Sequence, residues 1–170
     1  MGLEDMLSHG ADKLKELAEM IPGYKGYAER SERRAADSAH REYMAKRLTA
    51  LKATLQSIQG DCLSEGNLEA MEPCEQVANK MDRLIERIRH ASRGYSGLFD
   101  RQMVNEAELA SVYEHDMALV VIVNSIEEGL KGLEGSLGDN LKPALRGIRA
   151  SLDELDHKMD ERENILRGVG

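Results

Sequence analysis

A chain of 170 residues suits one domain and can bury ~70% of its unfolded surface, so its core needs no disulfide or structural metal. Apolar residues make up 41% and aromatics only 4% (no Trp, one Phe, five Tyr), which argues against disorder and against sheets and leaves an aliphatic, helical core. The net charge of −8 argues against nucleic acid, whose phosphates call for a basic surplus.

Helical periodicity dominates the chain. Leu3, Met6, Leu7, Ala11, Leu14, Leu17, Ala18 and Ile21 predict a short amphipathic helix ended by Pro22. A long helix follows from about Tyr27 to Gln59, with Met44, Leu48, Leu51, Leu55, Ile58 and Cys62 spaced 4-3-4-3-4. A third carries Met71, Cys74, Val77, Met81, Leu84, Ile85 and Ile88. The fourth starts at Asn105, where Glu108 completes a capping box, and runs through Leu109, Val112, Leu119, Val123, Ile126 and Leu130. The fifth follows Gly138-Asp139-Asn140 and carries Leu141, Leu145, Ile148, Leu152, Leu155, Met159 and Leu166, with Pro143 in its first turn.

Four of these helices are ~25 to 33 residues long, with short connections and 3-4 heptad stripes. The expected fold is all-α: an antiparallel up-down four-helix bundle with an additional short N-terminal amphipathic helix packed outside. One domain spans 1–170, with the extra helix at 1–21 and the bundle at 27–167. Residues 1–21 hold five acids and two bases, net −3, whereas 25–52 hold eight bases and four acids, net +4. The first helix is therefore expected to fold back on the small-residue face of Ala28, Ala35, Ala36 and Ala39; the alternative is that it swings away to a partner or a membrane surface, although its acidity argues against anionic lipid. Stripes this long are also compatible with self-association.

Two constellations stand out. Gly23-Tyr24-Lys25-Gly26-Tyr27-Ala28-Glu29-Arg30 and Gly94-Tyr95-Ser96-Gly97-Leu98-Phe99-Asp100-Arg101 share one pattern, and the topology puts both at the same end. Their glycines suit left-handed caps and their rings could plug the bundle end. Equally, Tyr24, Tyr27, Tyr95 and Phe99 could form a partner-binding surface, since Tyr is enriched at interface hot spots. The second constellation is polar. Projecting the apolar stripes along each helix brings Arg33, Asp37, His40, Arg41, His115, Asp116 and Arg162 to one level, inside the bundle.

That layer has three readings: an ion-paired layer that fixes helix register, a metal site, or a small-anion pocket using Arg33, Arg41 and Arg162. The metal reading lacks inward carboxylates, because His157, Glu86 and His90 project to outer faces and the arginines would repel a cation. No metal or other cofactor is expected. No Gly-Lys-Ser/Thr loop, HExxH or Gly-x-Ser-x-Gly elbow is present, and Cys62 and Cys74 fall on apolar stripes far from the histidines. The chain reads as no enzyme.

The longest apolar run, Met117 to Val123, has seven residues, short of the ~20 a membrane span needs. The start, Met1-Gly2-Leu3-Glu4-Asp5, lacks an export signal, and two distant cysteines suggest neither zinc nor a disulfide framework. A cytoplasmic protein without direct membrane insertion is expected.

The strings Ile21-Pro22-Gly23-Tyr24-Lys25-Gly26-Tyr27, Ile88-Arg89-His90, Gly94-Tyr95-Ser96-Gly97-Leu98-Phe99-Asp100 and Ile165-Leu166-Arg167-Gly168 resemble a family of bacterial helical proteins with no assigned reaction. The resemblance implies a link to stomatin-like membrane-scaffold systems. It favours an adaptor bound to a membrane-associated scaffold protein, peripheral to the inner membrane through that partner.

Overall fold

A computed structural model describes residues 2–90, 97–135 and 137–168. Among the described residues every regular element is helical: α1 (Leu3–Met20), α2 (Arg33–Ser64), α3 (Met71–His90), the one-turn α4 (Gly97–Asp100), α5 (Glu106–Lys131) and α6 (Leu141–Arg167). Short 3-10 turns at Arg30–Glu32 and Leu68–Ala70 lead into α2 and α3. The N-terminus of α5 is closed as the sequence pattern predicts. The Glu108 N–H donates to Asn105 Oδ1 at 2.8 Å, and the Asn105 N–H donates to Glu108 Oε2 at 3.1 Å. At the other end of the chain α6 stops at Gly168, which takes the left-handed conformation (φ +76°).

The aliphatic stripes meet in one core. Leu48, Leu55, Cys62, Met81, Leu84, Val123, Ile126, Leu152 and Leu155 are all buried, and each buried Leu or Ile removes enough apolar surface to favour folding by about 1.5–3 kcal/mol. α2 packs on α3, α3 on α6, α6 on α5, and α5 on α2. Ion pairs run along the seams. Lys80 of α3 reaches Asp153 and Asp156 of α6 at 3.1 and 3.3 Å, Arg87 bonds Asp156 and Asp160, and Arg47 of α2 meets Glu127 of α5 at 3.0 Å. Such exposed pairs contribute only about 0–1 kcal/mol each, so they tune neighbour choice while the apolar rows hold the helices together.

α5 is long and apolar enough to cross a membrane by length and composition, but more than half of its most apolar window is buried inside the protein. The reason is its position. It is covered by α1 on one side and by α2 and α6 on the others, so it carries apolar residues around most of its circumference.

Two expectations are corrected. α2 begins at Arg33, not near Tyr27, because residues 21–29 form an irregular loop in which Gly23 and Gly26 have φ of +82° and +91°. That backbone is incompatible with helix and turns Tyr24 and Tyr27 inward. α1 docks on α5, not on the alanine face of α2. A Cβ on Gly10 would lie 2.7 Å from the Ala110 Cβ, so the missing side chain sets how closely the two helices approach. The loop, rather than α1, approaches the alanine face: Gly23 lies over Ala39, while Ala35 and Ala28 are exposed.

Gly10→Ala is therefore expected to destabilise the protein despite the better helix propensity of Ala, by about 1–3 kcal/mol in urea unfolding, with recovery in the Gly10→Ala/Ala110→Gly pair. A neutral or stabilising single substitution would contradict this α1–α5 contact.

Candidate functional site

The heptad stripe of α5 is interrupted once, by Asp116, which is fully buried between Val112 and Leu119. An isolated carboxylate there would be costly, so its partners define the site. Tyr24 and Tyr27 of the α1–α2 loop each donate their O–H to Asp116 Oδ2 at 2.7 Å. Arg162 of α6 donates Nε to Oδ1 at 2.6 Å. The same guanidinium donates Nη2 to Asp37 Oδ1 at 2.8 Å and to the Tyr27 hydroxyl oxygen at 3.0 Å. Asp37 Oδ2 accepts from Arg41 Nε at 3.0 Å, and Arg41 also donates to the Ile88 carbonyl of α3 at 3.3 Å. His40 Nε2 lies 3.0 Å from the backbone oxygen of Asp116; because a carbonyl only accepts, Nε2 carries the proton of the neutral ring.

These contacts draw the loop, α2, α3, α5 and α6 into one network. It contains five of the seven predicted layer residues: Asp37, His40, Arg41, Asp116 and Arg162. Arg33 is fully buried nearby but serves another purpose. Its guanidinium donates to the carbonyl oxygens of Tyr27 (2.7 Å), Ala28 (3.3 Å), Leu98 (3.1 Å) and Arg101 (2.6 Å), and so ties the loop to α4 and the strand of chain after it. His115 does not belong to the layer. One residue from Asp116 is a turn of about 100° around the helix, so His115 is half-exposed, with Nδ1 2.9 Å from the Ser111 carbonyl and Nε2 3.5 Å from Glu161.

The aromatic end is also corrected. Tyr24, Tyr27 and Phe99 are 2%, 0% and 4% exposed, so their rings do not form an open partner surface. Tyr27 stacks on Phe99 with centroids 6.1 Å apart and meets Tyr24 edge-on at 5.8 Å. The Asp116 carboxylate accounts for the burial, because it needs two hydroxyl donors that the helices themselves do not supply. Tyr95 lies outside the described residues. Tyr113, which the sequence places near this end but not in the site, belongs to it. The Tyr113 hydroxyl accepts the Tyr27 N–H at 2.9 Å, and a Cβ on Gly26 would lie 2.6 Å from that oxygen. Its spacing of three from Asp116, on the same helix face, is the signal that could have found it.

The electrostatics follow from burial and pairing. Burial pushes the Asp116 carboxyl up, but the Arg162 charge and the hydrogen bonds from Arg162 and Tyr27 outweigh it and hold the group below the usual carboxylate range. Burial lowers His40 below its usual value and keeps it neutral. Burial, reinforced by the Asp116 charge, raises both Tyr24 and Tyr27 far above the usual phenol value. Arg162 stays charged, since Asp116, Tyr27 and Asp37 overcome its desolvation.

Every buried side-chain donor and acceptor among the described residues has a partner. The cavity beside the cluster, lined by His40, Arg41, Met44, Ile88, Leu119, Met159, Arg162 and Glu163, has a volume of about 20 Å³. That is room for one water, not for a phosphate or a small acid. An anion would have to displace Asp37 or Asp116 from the arginines. Among the described residues no group of three or more His, Cys, Asp or Glu is placed to hold a metal ion. Cys62 and Cys74 are free and buried at the opposite end, and burial raises the Cys74 thiol to about 11, so neither is an activated nucleophile.

Asp116→Asn leaves the buried Arg162 charge with only half its neutralisation, and a loss of about 3–5 kcal/mol in denaturant unfolding is expected. Raised tyrosine values give stability that is complete below pH ~10 and is lost as pH rises further, because the unfolded chain then ionises phenols the fold keeps neutral. The melting temperature should therefore fall steeply on the alkaline side, and less steeply in Tyr24→Phe.

Comparison of the chain with protein-family models, with curated proteins and with solved structures found no match, so a functional reading rests on this geometry and chemistry.

Proposed function

We propose that the protein is a non-enzymatic helical adaptor: α2, α3, α5 and α6 make a four-helix bundle of two antiparallel pairs, α1 lies outside it, and the surface around the loop end binds a protein partner. The helix directions support the bundle reading. Lys52 pairs with Asp82 and Arg41 reaches Ile88, so α2 and α3 run oppositely; Asp116 with Arg162 and Gly129 with Ile148 relate α5 and α6 in the same way. His40 with Asp116 and Arg47 with Glu127 set α2 parallel to α5, and Lys80 with Asp153 and Arg87 with Asp160 set α3 parallel to α6. The ring order is then α2-α3-α6-α5, with apolar stripes facing inward.

One observation carries the binding reading: α1 is held almost entirely by α5, and an apolar groove of about 260 Å³ remains between them. Leu7, Ala11 and Leu14 of α1 face Leu109, Ala110 and Tyr113 of α5 across it, with Ala28 at its edge. In the segment before α5, three residues ahead of the lining residue Glu106, Met103 is 86% exposed. Binding surfaces of this kind join an apolar centre to a polar rim. Tyr24, Tyr27 and Phe99 shape this end from inside rather than touching a partner. The polar cluster, with its groups satisfied within the chain, acts as a brace. A cytoplasmic adaptor that reaches the membrane only through a membrane-associated scaffold protein agrees with the loop motifs noted in the sequence.

Proximity labelling in the native host, with the labelling enzyme fused to the full chain, tests the reading. A reproducible set of labelled proteins that includes a membrane-associated scaffold is expected, reduced at least ~5-fold by Leu7→Glu/Ala11→Glu, which places charge in the wall of the apolar groove. An identical set from wild type and the double variant, both folded by circular dichroism, would remove this surface as the binding site.

A further inference from the structure

The partner surface is half-built from α1, and α1 reaches the rest of the protein through a loop whose inner face is the buried cluster. We infer that α1 is a releasable strap, unlocked by protonation of His40, with Tyr24 as its catch and Gly26 as its hinge. This rests on the adaptor reading for its purpose, but its physics is independent of any partner.

The loop has two anchors of different kinds. Tyr27 is fixed four ways: its carbonyl accepts from Arg33, its N–H donates to Tyr113, its ring stacks on Phe99 and its hydroxyl binds Asp116. Tyr24 has its hydroxyl on Asp116 and its ring against Tyr27 and His40, the latter at 6.4 Å between centroids. Gly26, between them, takes φ +91°, a conformation from which only glycine rotates freely. A break at Gly26 frees residues 3–24 and leaves Tyr27 in place.

His40 supplies the trigger. It is 1% exposed, and Nε2 already donates to the Asp116 carbonyl, so acid must protonate Nδ1. The charged groups around it come from every packed element. The loop gives Tyr24 and Tyr27; α2 gives Asp37 and Arg41, with Arg33 farther along; α5 gives Asp116, with Tyr113 beyond. α6 gives Arg162 and Glu163, and α3 lends Ile88. Asp37 and Asp116 balance Arg41 and Arg162 while His40 is neutral. Protonation leaves this inner set with a surplus positive charge beside two guanidiniums, and burial keeps His40 below its usual value. Asp116 Oδ1, 3.9 Å from Nε2, attracts the imidazolium but already holds Arg162.

An imidazolium in that position needs water, and the adjoining cavity of about 20 Å³ admits one molecule at most. It gives the proton a route in without hydrating the charge. Parting α2, α5 and α6 would break apolar rows along their whole length. Lifting Tyr24 breaks one hydroxyl bond and its ring contacts with Tyr27 and His40, plus the seam at Gly10, Leu14, Leu17 and Ile21. Local opening of the least anchored wall is the cheaper response. It uncovers the α5 face of Ala110, Tyr113 and Met117 together with the inner face of α1.

Hydrogen exchange of the purified full chain, corrected for intrinsic rates, tests this at about pH 7.5 and about pH 5.5, either side of the reference His value near 6.5. The expected result is a several-fold loss of protection over residues 3–20 at the lower pH, up to the ~10-fold limit that one histidine can supply over this range, with α3 and α6 unchanged. His40→Gln, whose amide can still donate to the Asp116 carbonyl, should keep α1 protected at both. If that variant does not fold, Tyr24→Phe replaces it and should release α1 at a higher pH than wild type. Retained protection of α1 in wild type, loss across all helices together, or equal release in His40→Gln would each overturn the switch. No partner is present in this measurement, so its failure leaves the adaptor reading to the labelling experiment.

Discussion

A carboxylate placed in the middle of an aliphatic core must be surrounded by donors, and the need of Asp116 for them organises much of this protein. The helices bring Arg162 to one oxygen and set His40 beside the backbone, but the other oxygen takes both of its donors from the α1–α2 loop. The loop cannot then continue α2 as helix. It has to pass inward over α5, and that path carries α1 onto the outer face of α5 rather than onto α2. The glycines at 23 and 26, the burial of the tyrosines and the late start of α2 follow from the same requirement.

The cluster also explains how a repetitive core acquires a single arrangement. Leu stripes with heptad spacing can slide by a turn with little loss of buried area. A slip of one turn between α5 and α6 would set Asp116 against leucine and strand Arg162 among methyls, each a cost of several kcal/mol. Buried ion pairs add little net stability, but they penalise the wrong register heavily. A fully satisfied network at one end and a featureless aliphatic shaft at the other divide the tasks of specificity and stability between them.

Much of the site was legible because helical periodicity is a one-dimensional signal. Asp37, His40, Asp116 and Arg162 stand on extensions of apolar stripes, and a polar residue on such a stripe has to be buried wherever the helix is buried. Projection of the Val112, Leu119 and Ile126 stripe puts both His115 and Asp116 close to the inward face, yet the rotation between neighbours leaves room for only one, and His115 turns toward Glu161 and solvent. Arg33 was on the right line, but its partners are carbonyl oxygens of non-helical chain, which no periodicity displays. The tyrosines were recognised as a cluster at the correct end and given the wrong exposure, since nothing local says whether a loop ring faces water or a carboxylate ninety residues away.

The sequence by itself determined the helical class, the apolar stripes, the Asn105 cap and the candidates for the polar layer, because each depends on residues within a few turns of one another. Only the tertiary structure decided where α1 docks, which way the loop turns and how Asp116 is satisfied. Those outcomes depend on contacts between residues far apart in the chain, such as Gly10 with Ala110 and Tyr24 with Asp116. Composition had also recorded a scarcity of rings. In three dimensions Tyr24, Tyr27, Tyr113 and Phe99 gather at the end where a buried charge needs hydroxyls and flat surfaces around it, while the shaft, which has no such charge, packs with aliphatic side chains.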